Sequence, residues 1–148
     1  MRILVAPDSF KGSLKSTEVA SFIRKGLQKV DESWQVVEQP LADGGEGTVE
    51  VLVQGTKGKI IEKEVTGPRG EKIKAHIGVV SGGEVAVLEM AEVAGLILLP
   101  PEERNPRFTT TYGVGELIKE AVSLGFHRII LGVGGSATTD GGMGALRA

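Results

Sequence analysis

The apolar run Arg128-Ile129-Ile130-Leu131-Gly132-Val133 passes without a break into Gly134-Gly135-Ser136-Ala137-Thr138-Thr139-Asp140-Gly141-Gly142. A short apolar run bounded by glycine reads as a buried strand. A glycine loop that leaves a strand and enters a helix brings backbone amides to a face where an anion can sit. Such a loop constrains the chain to strand and helix in alternation, with loops gathered at the carboxyl ends of parallel strands. A second glycine loop, Ala42-Asp43-Gly44-Gly45-Glu46-Gly47-Thr48, follows another short strand, Gln35 to Gln39. Glycine makes up 22 of the 148 residues, most of them in clusters, which marks turns and places of close backbone approach.

The remaining segments fit that alternation. Arg2 to Ala6 reads as a buried strand ending at Pro7, followed by a loop and a helix from Ser16 or Thr17. Either hydroxyl can cap that helix. Its Val19, Ile23, Leu27 and Val30 recur at spacings of three and four, so one face should pack on a sheet. Val49, Leu52 and Val53 belong to a short helix that Gly55 is expected to end. Lys59 to Thr66 and Glu71 to Val80 flank Gly67-Pro68-Arg69-Gly70 as a β-hairpin, and Glu84 to Met90 adds a third strand of an antiparallel meander. After the proline-rich loop 100–106, Val114, Leu117, Ile118, Ala121 and Val122 define a helix with Gly125 as its C-cap, and Gly142 to Ala148 begins another. The fold class expected is α/β: a three-layer, Rossmann-like parallel-sheet domain with part of a second α/β domain containing the meander. The first would comprise residues 1–41 and 105–148, discontinuous and incomplete, and the second residues 42–104. The chain is expected to be truncated, because it stops just past its richest loop.

Composition excludes several classes of function. Seventeen basic and nineteen acidic residues give a net charge of -2, dispersed along the chain, so no basic field exists for a nucleic-acid backbone. Absence of cysteine removes disulfides, thiolate chemistry and Cys-ligated zinc, while His76 and His127 stand apart from each other. The first apolar run is too short for a signal-peptide core, and no segment reads as membrane-spanning. A cytoplasmic location is the expectation.

Three segments carry candidate chemistry. In the loop 134–142, Gly134, Gly135, Ser136 and Thr138 can face phosphate oxygens, and Asp140 can hold magnesium or a water bound to it. The structural alternative is a tight turn capped by Thr or Asp. In the loop 42–48, Asp43 can accept a hydroxyl proton or ligate magnesium and Glu46 can orient or ligate; alternatively Asp43 caps the helix and Glu46 completes a capping box. Asp8 and Lys11 follow the first strand, where Lys11 can neutralise a phosphate or carboxylate or simply be a solvated charge. Arg104, Asn105 and His76 are weaker candidates. Gly132, Gly134 and Ala137 satisfy G-x-G-x-x-A, but the acidic residue of a dinucleotide site would lie past Ala148, and no P-loop sequence is present.

Four stretches resemble the bacterial glycerate kinase family in order and wording: Ala6 to Leu14, Leu41 to Thr48, Arg104-Asn105-Pro106 through Tyr112 to Leu117, and Gly134 to Gly142. Lys15 stands where a small polar residue is common in the family, and Thr139 where asparagine is common. The resemblance implies ATP-dependent phosphoryl transfer to a hydroxyl of glycerate, with ATP and Mg2+ as cofactors and glycerate as the small-molecule partner. It also implies a chain well over twice as long, with two α/β domains and the active site in the cleft between them. In that setting the amides of Gly134 to Ser136 would cradle phosphate and Asp140 and Glu46 would serve magnesium. Lys11, beside Asp8, would screen developing charge while Asp43 orients the glycerate hydroxyl. Two other readings are a non-catalytic phosphate- or carboxylate-binding module and, more remotely, a NAD-binding oxidoreductase.

Overall fold

The computed structural model describes all 148 residues, which form two compact units, Met1–Asp43 and Gly44–Ala148. The first is a single β-α-β crossover. Strand β1 (Arg2–Val5) pairs in parallel with β2 (Gln35–Glu38), Arg2 opposite Gln35, and helix α1 (Ser16–Val30) connects them. Lys15 precedes the helix, and its amide is bonded at 2.9 Å by the Glu18 carboxylate. The helix buries Ser16, Val19 and Ala20, but Ile23 and Val30 of the expected apolar face stand exposed, Val30 at 72%. Two strands cover only part of a fifteen-residue helix. β1 is likewise not the buried strand its sequence suggests, since Leu4 is 66% exposed.

The second unit is a four-stranded sheet in the order β3-β4-β5-β6. Strands β3 (Lys59–Thr66), β4 (Lys72–Val80) and β5 (Val85–Glu89) form the expected antiparallel meander, with Lys59 opposite Val79 and Thr66 opposite Lys72. The hairpin tip is closed by the Gly67 amide on the Glu71 carbonyl, 2.7 Å, with Gly70 at φ 95°. Strand β6 (Arg128–Gly132) joins β5 in parallel, Glu89 opposite Gly132. That pairing groups residues 105–148 with the meander rather than with residues 1–41, a departure from the discontinuous division expected from the sequence. It also leaves β6 at the edge, so Ile130 is 49% exposed where a buried strand was expected.

Helices cover both faces of this sheet. Helix α2 (Thr48–Thr56) lies on one, where Val49 and Val53 pack with Val80, Val85 and Val87. Helices α3 (Ala91–Ala94) and α4 (Tyr112–Ser123) contribute to the other, where Val93, Val114, Leu117 and Ala121 pack with Val65, Ala75, Ile77, Ala86 and Leu88. Filling a site such as the buried Leu117 is worth about 2–5 kcal/mol against alanine. The final helix, α5 (Met143–Arg147), packs on α4, where Gly115 leaves room for the Ala145 carbonyl. Gly125, at φ 92°, ends α4 as expected, through the Phe126 amide on the Ala121 carbonyl. Gly55 does not end α2. The helix runs to Thr56 and closes at Lys57, itself left-handed at φ 54°, while Gly58 is needed where a side chain would meet the Val79 carbonyl. No helix is long and apolar enough to cross a membrane.

Candidate active site

Alternation along β5 decides what lies under the N-terminus of α2. Ala86 and Leu88 point into the α3–α4 core, and Val85 and Val87 into the α2 core, so the next residue on the α2 side is Glu89. Its side chain is 2% exposed. One carboxylate oxygen accepts the Gly47 amide at 3.0 Å and the other the Val49 amide at 3.1 Å. These are amides that a helix start leaves without intrahelical partners. Gly47 occupies the cap position at φ 88° with no side chain to offer, so the cap comes from a strand 42 residues away. The capping box expected from Asp43 and Glu46 gives way to Glu89, and Glu46 stands exposed. Burial pushes the Glu89 carboxyl above the usual glutamate range, against the pull of the Val49 and Gly47 amides and with help from the nearby Glu92 charge.

The two glycine loops meet along their backbones. The Gly134 amide donates to the Gly44 carbonyl at 2.8 Å. A β-carbon on Gly132 would sit 2.7 Å from the Gly44 carbonyl oxygen, and one on Gly134 would sit 2.7 Å from the Gly45 α-carbon. Thr48 tightens the first loop by donating its hydroxyl to the Gly45 carbonyl at 2.7 Å. Gly132 and Gly134 are therefore required by the first loop, independently of any ligand. This corrects one expected role: the Gly134 amide is committed to Gly44 and is not a phosphate donor. Gly135, exposed and at φ 69°, presents backbone at the bend, and its carbonyl receives the Leu96 amide at 2.9 Å. Ser136 and Thr138 turn their hydroxyls inward. Ser136 Oγ donates to the Thr138 carbonyl at 3.2 Å, and Thr138 Oγ1 donates to the Thr109 carbonyl at 2.8 Å.

Asp140 is the hub of the second loop. Oδ2 accepts the amides of Thr111 at 2.8 Å and Gly144 at 3.1 Å, and Oδ1 accepts the Gly142 amide at 2.9 Å. The Thr111 hydroxyl lies 2.9 Å from Oδ2, and the Thr110 hydroxyl 3.4 Å away. Thr111 Oγ1 in turn receives the Ala145 amide at 3.0 Å. The carboxylate thus joins the start of α4 to the start of α5. Burial alone would raise its pKa, but the amides of Thr111, Gly142 and Gly144 and the Thr111 hydroxyl together hold it below the usual aspartate range. With its oxygens filled by these donors, Asp140 does not fit a magnesium ligand. No three of the chain's His, Asp and Glu side chains cluster to hold a metal ion. The expected assignment of Asp140 and Glu46 to magnesium is not supported by this geometry, and no step is derived through a metal.

Asp8 and Lys11 belong to the first unit. The Asp8 carboxylate accepts the Ser9 amide at 2.6 Å, and Lys11 is exposed in a tight turn closed by the Phe10 amide on the Leu14 carbonyl at 2.9 Å. Asp43, exposed, is the last residue of that unit. Arg104 donates Nε to the Leu99 carbonyl at 3.1 Å, and His76 lies 3.0 Å from Glu92. Sequence reasoning missed Glu89 and the threonines at 109–111. An acid ending the apolar run Val85-Ala86-Val87-Leu88 was the available signal, because a carboxylate in line with a core row has to find donors.

Fold and loops together define an α/β protein whose two glycine loops interlock at the carboxyl ends of parallel strands, the place where open α/β sheets present ligands. The model of the glycerate kinase family matches residues 3–148, and the chain belongs to that family. It is 54% identical over 148 residues to the glycerate kinase of Haemophilus influenzae and 51% to that of Bacillus subtilis. It is 49% identical to the glycerate 2-kinase of Escherichia coli. The chain spans 39% of the length of each of these relatives. A crystal structure from Salmonella typhimurium LT2, provisionally named glycerate kinase 2, superposes with a TM-score of 0.78 at 47% identity, covering 100% of this chain and 40% of that one.

Proposed function

We propose that this chain supplies part of the active site of a glycerate kinase, which transfers a phosphoryl group from ATP to a hydroxyl of glycerate to give phosphoglycerate and ADP. The observation that carries the proposal is the interlocked pair of glycine loops in a chain that matches the family over nearly its whole length. Phosphoryl transfer depends on positioning and on charge stabilisation more than on covalent chemistry by the protein. A backbone seam pinned by Glu89 on one side and Asp140 on the other is suited to that work, because its donors need not reorganise as charge moves.

In this reading the amides at Gly135 and Ser136 face phosphate, in place of the full Gly134 to Ser136 set. Asp43 accepts a hydrogen bond from the glycerate hydroxyl and orients its oxygen for attack on the terminal phosphorus. Lys11, beside Asp8, balances charge on the transferring group or on the glycerate carboxylate. The test is an ADP-release assay with ATP and glycerate on a chain of the relatives' full length that carries this sequence, coupled to NADH oxidation and run beside the same mixture without glycerate. Glycerate-dependent ADP release supports the proposal. Binding of ATP with no glycerate-dependent turnover supports a phosphate-binding module instead.

A further inference from the structure

Glu89 is a buried carboxylate, and the reading above gives it no contact with phosphate or glycerate. It terminates β5 beside Gly132 of β6, and both of its oxygens are bonded to amides at the start of α2. The loop it meets is also anchored by the Gly134 amide on the Gly44 carbonyl and by the Thr48 hydroxyl and amide on the Gly45 carbonyl. Those anchors fix Gly44 and Gly45 and close a turn over Glu46, while at the step into the helix Gly47 at φ 88° supplies flexibility and no cap. Glu89 adds a second hold on that step, through the Gly47 and Val49 amides. A glycine cap closed by a distant buried acid is costly to build, since the acid must be desolvated for two hydrogen bonds. A serine or aspartate at the cap position would serve the helix alone.

We infer that Glu89 is a positioning residue for the proposed phosphoryl transfer: its carboxyl group holds the Gly44–Thr48 loop in one conformation and thereby sets where the loop's exposed carboxylate, Glu46, and the adjoining Asp43 stand. The inference rests on the glycerate kinase reading. Glutamine has the right shape but only one acceptor, so Glu89→Gln keeps the packing and sets an NH2 against one of the two amides. The other ionisable groups on surrounding elements are Glu92 on α3, paired with His76 on β4, together with Glu46 and Glu50 on the loop and helix being capped. The paired strand β6 offers Gly132 at this level.

The experiment has one arm that needs no turnover and one that does. In the wild-type chain, the Gly47 and Val49 amide proton resonances are followed by 15N NMR through an acid titration. They should move together in one step that is absent from Glu89→Gln, and amide exchange over residues 44–49 should quicken at least about tenfold in the variant while β3 and β4 keep their protection. In the coupled assay, Glu89→Gln should lose at least about tenfold in kcat with KM for ATP held within about twofold, because ground-state binding is spared. Wild-type exchange rates at residues 44–49 in the variant, or wild-type kcat, would overturn the inference. Should the variant fail to fold, the wild-type titration decides alone: Gly47 and Val49 resonances that do not titrate together overturn it. Absence of turnover in the full-length wild type counts against the kinase reading, whereas the amide titration reports separately on the loop.

Discussion

Two helix starts in the second unit meet the same need in opposite ways. At α2 the acid is Glu89, distant in sequence, almost wholly buried, and bonded to two amides; burial prevails and its pKa rises. At α5 the acid is Asp140, local to the helix, partly exposed, and bonded to three amides and the Thr111 hydroxyl; the donors prevail and its pKa falls. The difference shows that a buried carboxylate at a helix start is not stabilising by kind. Its sign follows from how many donors offset the desolvation of the charge.

The comparison can be broken by mutation. Asp140→Ala should have the largest effect, about 3 kcal/mol of unfolding free energy by urea titration, because several amides lose their acceptor at once. If it costs less than Glu89→Gln, the donor count is not what separates the two sites. Gly134→Ala follows at about 2–3 kcal/mol, since the new methyl meets Gly45 backbone that has no rotamer to move aside. Glu89→Gln should cost about 1–2 kcal/mol, part of the lost bonding being offset by removal of a buried charge.

Acid titration separates the two sites by sign. Asp140 has a native pKa below its unfolded value, so its contribution is complete above the ordinary aspartate range and is lost as pH falls through the native value. Glu89 has a native pKa above its unfolded value, so its contribution is complete below the ordinary glutamate range and declines as pH rises through the native value. On acidification the penalty of Asp140→Ala should therefore shrink while that of Glu89→Gln grows. Parallel curves for the two variants would refute the assignment of opposite shifts. The smallest effect belongs to Gly141→Ala, about 1 kcal/mol: Gly141 has φ 63° but open space around it, so only backbone strain is charged.

Most elements were legible in the sequence because their signals are local. The turn around Pro68, the 3.6-residue period from Val114 and the glycine after α4 each act within a few residues. The roles of the site residues were less so. Glu89 caps a helix 40 residues earlier, and Thr111 meets Asp140 across 29 residues; both depend on strand order and on which face of β5 carries the odd-numbered positions. Exposure of Leu4 and Ile130 was hidden for the same reason, since an apolar strand at a sheet edge and one at its centre share a composition. The glycines of the loop 134–142 were legible as permissive positions. That one of them is occupied by the other loop became visible only once β5 and β6 lay side by side.

The contact between Gly44-Gly45 and Gly132–Gly134 has a thermodynamic consequence for any ligand held across it. Side chains lining a binding site lose rotamer freedom when a ligand arrives, at roughly 0.5–1.5 kcal/mol for each rotamer-rich group immobilised. A seam made of main chain alone has no such freedom to lose, and its Gly134–Gly44 bond lies within the protein itself. Binding there should show a small entropic cost from the protein, leaving more of the contact energy to discriminate between the phosphate as it is bound and the phosphate as it is transferred.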